Sequence, residues 1–340
     1  MNRISLALQG GGAHGAFTWG VLDVLLEEGG FDISAVSGTS AGALNAACLV
    51  TGLAQGGPDG ARTRLHDLWR LVSEQSPLGA VEHSLPFLPM PRHMVHSMLE
   101  RLRAMGQMIS PYDTAMPAEN PLRAVLERLI DFDLLQSRAV VPTFVSATRV
   151  DDGSARVFTG AELTLDALLA SACLPNLFRA VTIDGVDYWD GGYMGNPTLT
   201  PLFAQDLADD ILIVQVTPFH RAQTPRSVDD IVSRVTEITF NSSLMRDLRT
   251  LAEIQKLLNG GGGHANPQLS RIARLRVHMI AASPQDAAPS GVAKLDTRWS
   301  ELTALAESGR QAARDWLQRH RGDLAHRSTA PNMLEPFTST

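Results

Sequence analysis

The apolar positions of the first fifty residues change period repeatedly, and each change marks an element. Ile4 to Leu8 is a short apolar run with Ser5 inside it, ending in the glycine triplet Gly10-Gly11-Gly12. From Ala16 to Glu28 the apolar residues Phe17, Val21, Leu22, Val24 and Leu25 fall at helical spacing until Gly29-Gly30 stops them. Phe31 to Val36 predicts a second strand, and after Gly38 a small-residue helix is expected from about Ala41 to Val50. Strand, glycine loop, helix, strand, tight turn and helix in that order predict parallel strands with helices packed on them.

Further along, Thr51 to Gly60 reads as a glycine-rich loop, followed by a helix carrying Leu65, Leu68, Trp69 and Val72. Asn120-Pro121 opens a helix to Ile130, with Pro at the favoured first position. Strands are expected at Val140–Ala147 and Arg156–Phe158, and a helix at Thr164–Ser171 with Asp166 in its first turn. Val181 to Trp189 predicts a hairpin around Asp184-Gly185, a strong two-residue turn signal. Ile211–Val216 is a continuous apolar run, as in a buried strand. A long helix over Ser227–Leu258, a late strand over Leu275–Ala281 and an amphipathic helix over Leu302–His320 follow. No repeat or linker divides the chain. One domain over 1–325 is expected, with a core at about 4–220, a helical extension at about 225–325 and a loosely ordered tail over 326–340.

The stretch from Ser76 to Tyr112 stands apart. It is rich in Pro and Met, with Phe87 and Leu88 at its centre. Flexible apolar side chains suit lipid contact, so a lid or membrane-facing flap is one reading and a packed-down connection the other.

Composition narrows the function classes. The chain is 44% hydrophobic and 19% charged, ordinary for a globular protein. A formal net charge of -7 argues against a general nucleic-acid binder and leaves contact with anionic membrane to a local patch. Cys48 and Cys173 sit in small apolar surroundings outside any paired-cysteine spacing, which predicts buried free thiols. No apolar stretch approaches the roughly 18 residues that span a bilayer, and no signal-peptide pattern follows the N-terminus. A cytoplasmic protein, at most peripheral to membrane, is expected. The adjacent pairs Asp151-Asp152 and Asp209-Asp210 lack metal-ligand spacing, so no metal and no cofactor are expected, and oligomeric state is left open.

Three short motifs carry chemistry. Gly10-Gly11-Gly12-Ala13-His14-Gly15, between a strand and a helix, lets backbone N–H groups turn inward at the positive end of that helix. Such a loop suits a phosphate or the oxyanion of an acyl intermediate. Gly10, Gly12 and Gly15 fit dinucleotide spacing, but Ser37-Gly38-Thr39 stands where ribose recognition wants an acidic residue. Gly38-Thr39-Ser40-Ala41-Gly42 has the G-x-S-x-G form of a nucleophile elbow, whose glycines permit a strained turn that exposes the serine hydroxyl. Asp190-Gly191-Gly192 follows the strand ending at Trp189. A carboxylate in a poorly hydrated place can take a serine proton, whereas the plain alternative is a turn Asp capping its own loop.

Together the three resemble the patatin-like phospholipase family in kind and order, over about residues 4 to 220. Asn120-Pro121-Leu122 and Ser171-Ala172-Cys173-Leu174-Pro175 resemble stretches of bacterial members. The resemblance implies a three-layer α/β/α sandwich with a mostly parallel central sheet. It also implies a lipid acyl hydrolase with a Ser–Asp dyad: Ser40 as nucleophile, Asp190 as base, and the amides of Gly11, Gly12 and Ala13 as oxyanion donors. Gly10, His14, Gly15, Gly38, Gly42, Gly191 and Gly192 would shape the loop and elbow, and the partner is a lipid or acyl ester. His14 departs from the family, which usually carries Arg or Lys there. It is expected to pack and hydrogen-bond, or else to tune the site near neutral pH. Two rivals remain: a Ser-Asp-His α/β-hydrolase using His220 or His278, which otherwise are expected on surface or helix faces, and a noncatalytic lipid-binding scaffold.

Overall fold

A computed structural model describes residues 1–84, 94–95, 97–98, 110–113, 120–138, 140–221, 224–260, 266–283 and 293–330. The expected alternation is present. β1 (Asn2–Leu8), a 3-10 turn (Gly12–His14) and α1 (Gly15–Glu28) lead to β2 (Phe31–Thr39) and α2 (Ala41–Gln75). An eight-stranded sheet runs in the order β5-β6-β3-β2-β1-β7-β8, with β3 as Thr143–Arg149, β5 as Val181–Ile183, β6 as Val186–Asp190, β7 as Asp210–Gln215 and β8 as Arg276–Ala281. β1 pairs in parallel with both β2 and β7, β2 with β3, and β7 with β8. The antiparallel members are the β5–β6 hairpin and β4 (Ala155–Thr159), both on β3. Hydrophobic cores lie on both faces. One includes Phe17, Leu49, Leu68 and Trp316, and the other Ile213, Leu244, Leu248 and Met279, so the protein is an α/β/α sandwich.

Central strands carry apolar residues on both sides because both faces are covered: every residue of β7 is buried. α1 is buried from Gly15 to Leu25 because the last long helix, Trp299–His320, lies directly on it. That approach needs bare backbone: a Cβ on Gly20 would sit 1.8 Å from Ala306 O, and one on Gly309 2.1 Å from Phe17 O. Asp23 clamps the layer through Arg62 at 2.7 Å and Arg310 at 2.8 Å. The C-terminal third is thereby part of the same core.

Three expectations need correction, and one helix is additional to those expected. Thr51–Gly60 is not a loop: helix continues to Gln55, and only Gly56 and Gly57 leave helical geometry, at a kink between two helices. Small residues there pack inside the layer, with Thr51 and Gly52 buried, so tertiary contact overrides the glycine count. A helix over Pro267–Arg274 went unpredicted, although Asn266 caps it by accepting from the amides of Gln268 and Leu269 ahead of Pro267. The tail is not loose over 326–330. Ser328 Oγ accepts from Val277 N, and the amides of Thr329 and Ala330 donate to Val277 O, because the sheet edge at β8 offers unpaired backbone groups. His278 is not on a surface but fully buried in β8, bonded to Asp210 at 2.9 Å. The Asp184-Gly185 turn is as predicted, with both residues at positive φ, and Cys48 and Cys173 are buried and free. Most of Ser76–Tyr112 lies outside the described residues. Among the described ones, Pro77–Ser84 is helical and Met94, Met98 and Tyr112 are exposed.

Candidate active site

β1 and β2 run parallel, so their C-terminal ends bring the glycine loop and the elbow together at one edge of the sheet. Ser40 leaves β2 at φ 54 and ψ -127, a backbone conformation that costs a non-glycine residue of order 1–3 kcal/mol and persists only where neighbours enforce it. Here they do. Its amide donates to Ser171 Oγ at 2.9 Å, Ser171 in turn donates to Ser146 O at 2.6 Å, and Ser40 O accepts from the amides of Ala43 and Leu44 in α2. Gly42 is obligatory because a Cβ there would meet Leu8 O at 2.1 Å.

The glycine loop is held from below by a buried amide network. Gly10 N donates to Asn196 Oδ1 at 2.7 Å, and Asn196 Nδ2 donates back to Gly10 O. Gln9 Oε1 accepts from the amides of Val216 and Thr217, while its Nε2 donates to Asn241 Oδ1 at 2.9 Å. Asn241 in turn donates to Thr217 O and Pro218 O. Such satisfied buried networks fix one geometry. Gly12, at φ +60, carries the carbonyl of Lys294 against it: a Cβ would lie 2.4 Å away. Gly11 and Gly12 line a cavity with Ser40 and Asp190. His14 is buried at the start of α1, outside the lining of both cavities at Ser40.

Asp190 ends β6, one strand beyond β3 from the elbow. Its amide donates to Cys173 O at 2.7 Å, Thr148 Oγ1 donates to its carbonyl, and its Oδ1 accepts from Gly192 N at 2.7 Å. Oδ2 is buried and has no hydrogen-bond partner among the described residues. Burial pushes the carboxyl up to about 6, against the opposing pull of the Ser40 hydroxyl, the Gly192 amide and the Lys294 charge. The Ser40 hydroxyl is among the groups that pull the acid down, while Oδ2 closes no hydrogen bond among the described residues.

Ser40 stands where two cavities meet. One, of about 300 Å3, has aliphatic walls that include Leu44, Val72, Leu78, Leu122, Val125 and Phe178. The other, of about 200 Å3, is lined by Asp190, Tyr193, Lys294 and, from the helix Val228–Gly260, Ser233, Thr236 and Phe240. Lys294, Leu295 and Phe240 had no local signal in the sequence and reach the site only through folding. The rival histidines are not assembled here: His220 is exposed, and His278 bonds Asp210 at the start of β7, the opposite end of that strand from the site. No group of three His, Cys, Asp or Glu residues among the described ones is placed to hold a metal ion.

Similarity to known proteins bears on the family. Among solved structures, VipD from Legionella pneumophila matches with 15% identity over 94% of this chain and 67% of its own, at a TM-score of 0.40. A structure of full-length SpcU with full-length ExoU from the type III secretion system of Pseudomonas aeruginosa matches with 16% identity over 91% of this chain, at a TM-score of 0.30. The chain spans about two thirds of the first and 52% of the second. No curated protein matches. The profile described as Patatin-like phospholipase covers residues 6–203, which is more than half of the 340 and holds the glycine loop, Ser40 and Asp190, and the chain therefore belongs to that family.

Proposed function

We propose that the protein is a lipid acyl hydrolase that cleaves carboxylic esters through Ser40 and Asp190, without histidine, metal or cofactor. Asp190 Oδ2 takes the hydroxyl proton as Ser40 Oγ attacks the ester carbonyl carbon. The amides of Gly11, Gly12 and Ala13 receive the oxyanion, where one lost donor costs on the order of 3 kcal/mol. Collapse expels the alcohol, which takes the proton from Asp190, and leaves an acyl-serine. Water then attacks with Asp190 again as base, and collapse releases the carboxylic acid as Ser40 Oγ takes the proton back from Asp190.

The observation carrying this proposal is the state of Asp190. A carboxyl raised to about 6, with one oxygen unpartnered among the described residues, shares a cavity with a serine on a strained elbow. Nothing in a capping role needs that arrangement. The aliphatic cavity beside Ser40 supports an acyl chain as the group held there. Leu78, from the start of the Ser76–Tyr112 stretch, lines it, in keeping with a role of that stretch at the acyl chain or membrane. No helix among the described residues is long and apolar enough to cross a membrane.

The test is hydrolysis of a short-chain p-nitrophenyl ester by wild type, Ser40→Ala, Asp190→Asn and the double variant His220→Ala/His278→Gln. The first two should be folded and inactive while the histidine variant turns over. Loss of activity in a folded histidine variant would favour the triad. An inactive wild type, also on vesicle-presented ester, would favour the scaffold.

A further inference from the structure

Lys294 and the helix Val228–Gly260 both lie beyond residues 6–203, yet they build much of the polar cavity wall. Lys256 and Lys294 are the only lysines among 29 basic residues, and Lys294 is anchored on the catalytic loop itself, its carbonyl against Gly12. From there its side chain is steered by two further elements. Nζ donates to Thr217 Oγ1 at 3.4 Å and stands 5.7 Å from the centre of the Phe240 ring. Among the described residues lining this cavity it is the one cation, facing the one carboxyl, Asp190. Arg221 and Arg234 pair with Glu237, at 2.7 and 3.1 Å, and are not among the residues lining the cavity. Tyr193, Ser233 and Thr236 make this wall more polar than that of the aliphatic cavity, among apolar residues such as Leu174, Val232 and Leu295.

The two cavities thus differ in kind while sharing Ser40, Gly12, Leu295 and Lys294, whose ammonium lies beside Phe240, a residue that lines the second cavity alone. An ester whose carbonyl sits at Ser40 must send its acyl chain one way and its alcohol the other. The aliphatic cavity suits the acyl chain, which leaves the alcohol in the cavity where the Lys294 ammonium lies beside Phe240. A lysine ammonium is a compact point charge with three rotatable donors, fitted to a phosphate or carboxylate oxygen rather than to a neutral glyceride.

We propose that the polar cavity is an alcohol-side subsite for an anionic leaving group, a phosphate- or carboxylate-bearing alcohol, with Lys294 as the residue that recognises its charge. The assignment rests on the hydrolase reading for which side the alcohol takes, and the experiment separates the two. It pairs dihexanoyl phosphatidic acid with dihexanoylglycerol, which carry the same acyl chains and ester bonds. Wild type should favour the anionic ester in kcat/KM, and Lys294→Met should lower the anionic-to-neutral ratio by about ten- to a hundredfold, the range of a charge-assisted hydrogen bond. Lys294→Arg should keep most of the preference. Using the ratio cancels the effect of Lys294 on Asp190, which falls on both esters alike.

Calorimetric binding of the same pair to Ser40→Ala, with and without Lys294→Met, reads the subsite without turnover. A preference that survives Lys294→Met in rate or binding overturns the proposal, as does the absence of any preference in the parent protein. Inorganic phosphate competing as well as the lipid would reduce the cavity to a free-anion site and overturn the alcohol-side assignment. If wild type hydrolyses neither ester but Ser40→Ala shows a Lys294-dependent preference, the hydrolase reading fails and anion recognition by Lys294 stands.

Discussion

Replacing Asp190 with Asn should abolish activity and make the protein more stable at neutral pH. The carboxyl is fully buried, and desolvation lifts it from an unfolded value of 3.8 to about 6. Below 3.8 both folded and unfolded states hold the proton, and the shift has no effect on stability. As pH rises through about 6 the folded state must ionise a buried acid that the unfolded state has already ionised in water. Stability present at low pH is therefore lost across that window. A shift of about 2 units amounts to about 3 kcal/mol at pH 7.5. Asparagine keeps an oxygen for the Gly192 amide and carries no charge, so it escapes the penalty. With an unfolding entropy of about 2.1 cal/mol/K per residue, 3 kcal/mol corresponds to roughly 4 °C for 340 residues. Thermal melts followed by circular dichroism at pH 4 and pH 7.5 test this: the variant should gain only at the higher pH. A gain that is absent, or equal at both pH values, would refute the assignment of a buried acid ionising on demand.

Four other outcomes follow from the same geometry. Because a base must be ionised, kcat/KM should fall about tenfold per pH unit below about 6, and Lys294→Met should move that midpoint upward by removing a charge that lowers it. Ser171→Ala takes the acceptor from the Ser40 amide and should lower kcat roughly tenfold with little change in KM, measurable by steady-state kinetics. Gly12→Ala puts a Cβ 2.4 Å from the Lys294 carbonyl at positive φ, and hydrolysis should drop on the order of a hundredfold as the loop moves. His278→Ala leaves Asp210 without one partner and opens a buried space. Urea denaturation should register a loss of roughly 2–4 kcal/mol while kcat is retained.

What the sequence determined by itself was whatever depends on near neighbours. Period marks strands and helices over a few residues, Asp184-Gly185 dictates its own turn, and Gly38 to Gly42 spells an elbow, although Ser171, 131 positions away, holds Ser40 in it. Parallel strands with helices packed on them followed from the alternation of those elements, and the three-layer form from the family resemblance of the motifs. The tertiary structure decided everything that depends on burial and on residues distant in the chain. Gln9 meets Asn241 across 232 positions to hold the glycine loop, and Lys294 and Phe240 complete a cavity that begins at Gly11. Thr51 to Gln55 stays helical because the layer around it is packed, and residues 328–330 are fixed because β8 is an open edge. The proton affinity of Asp190 belongs to the same class. It is set by the exclusion of water and by charges brought from other elements, and neither quantity exists until the chain has closed around the site.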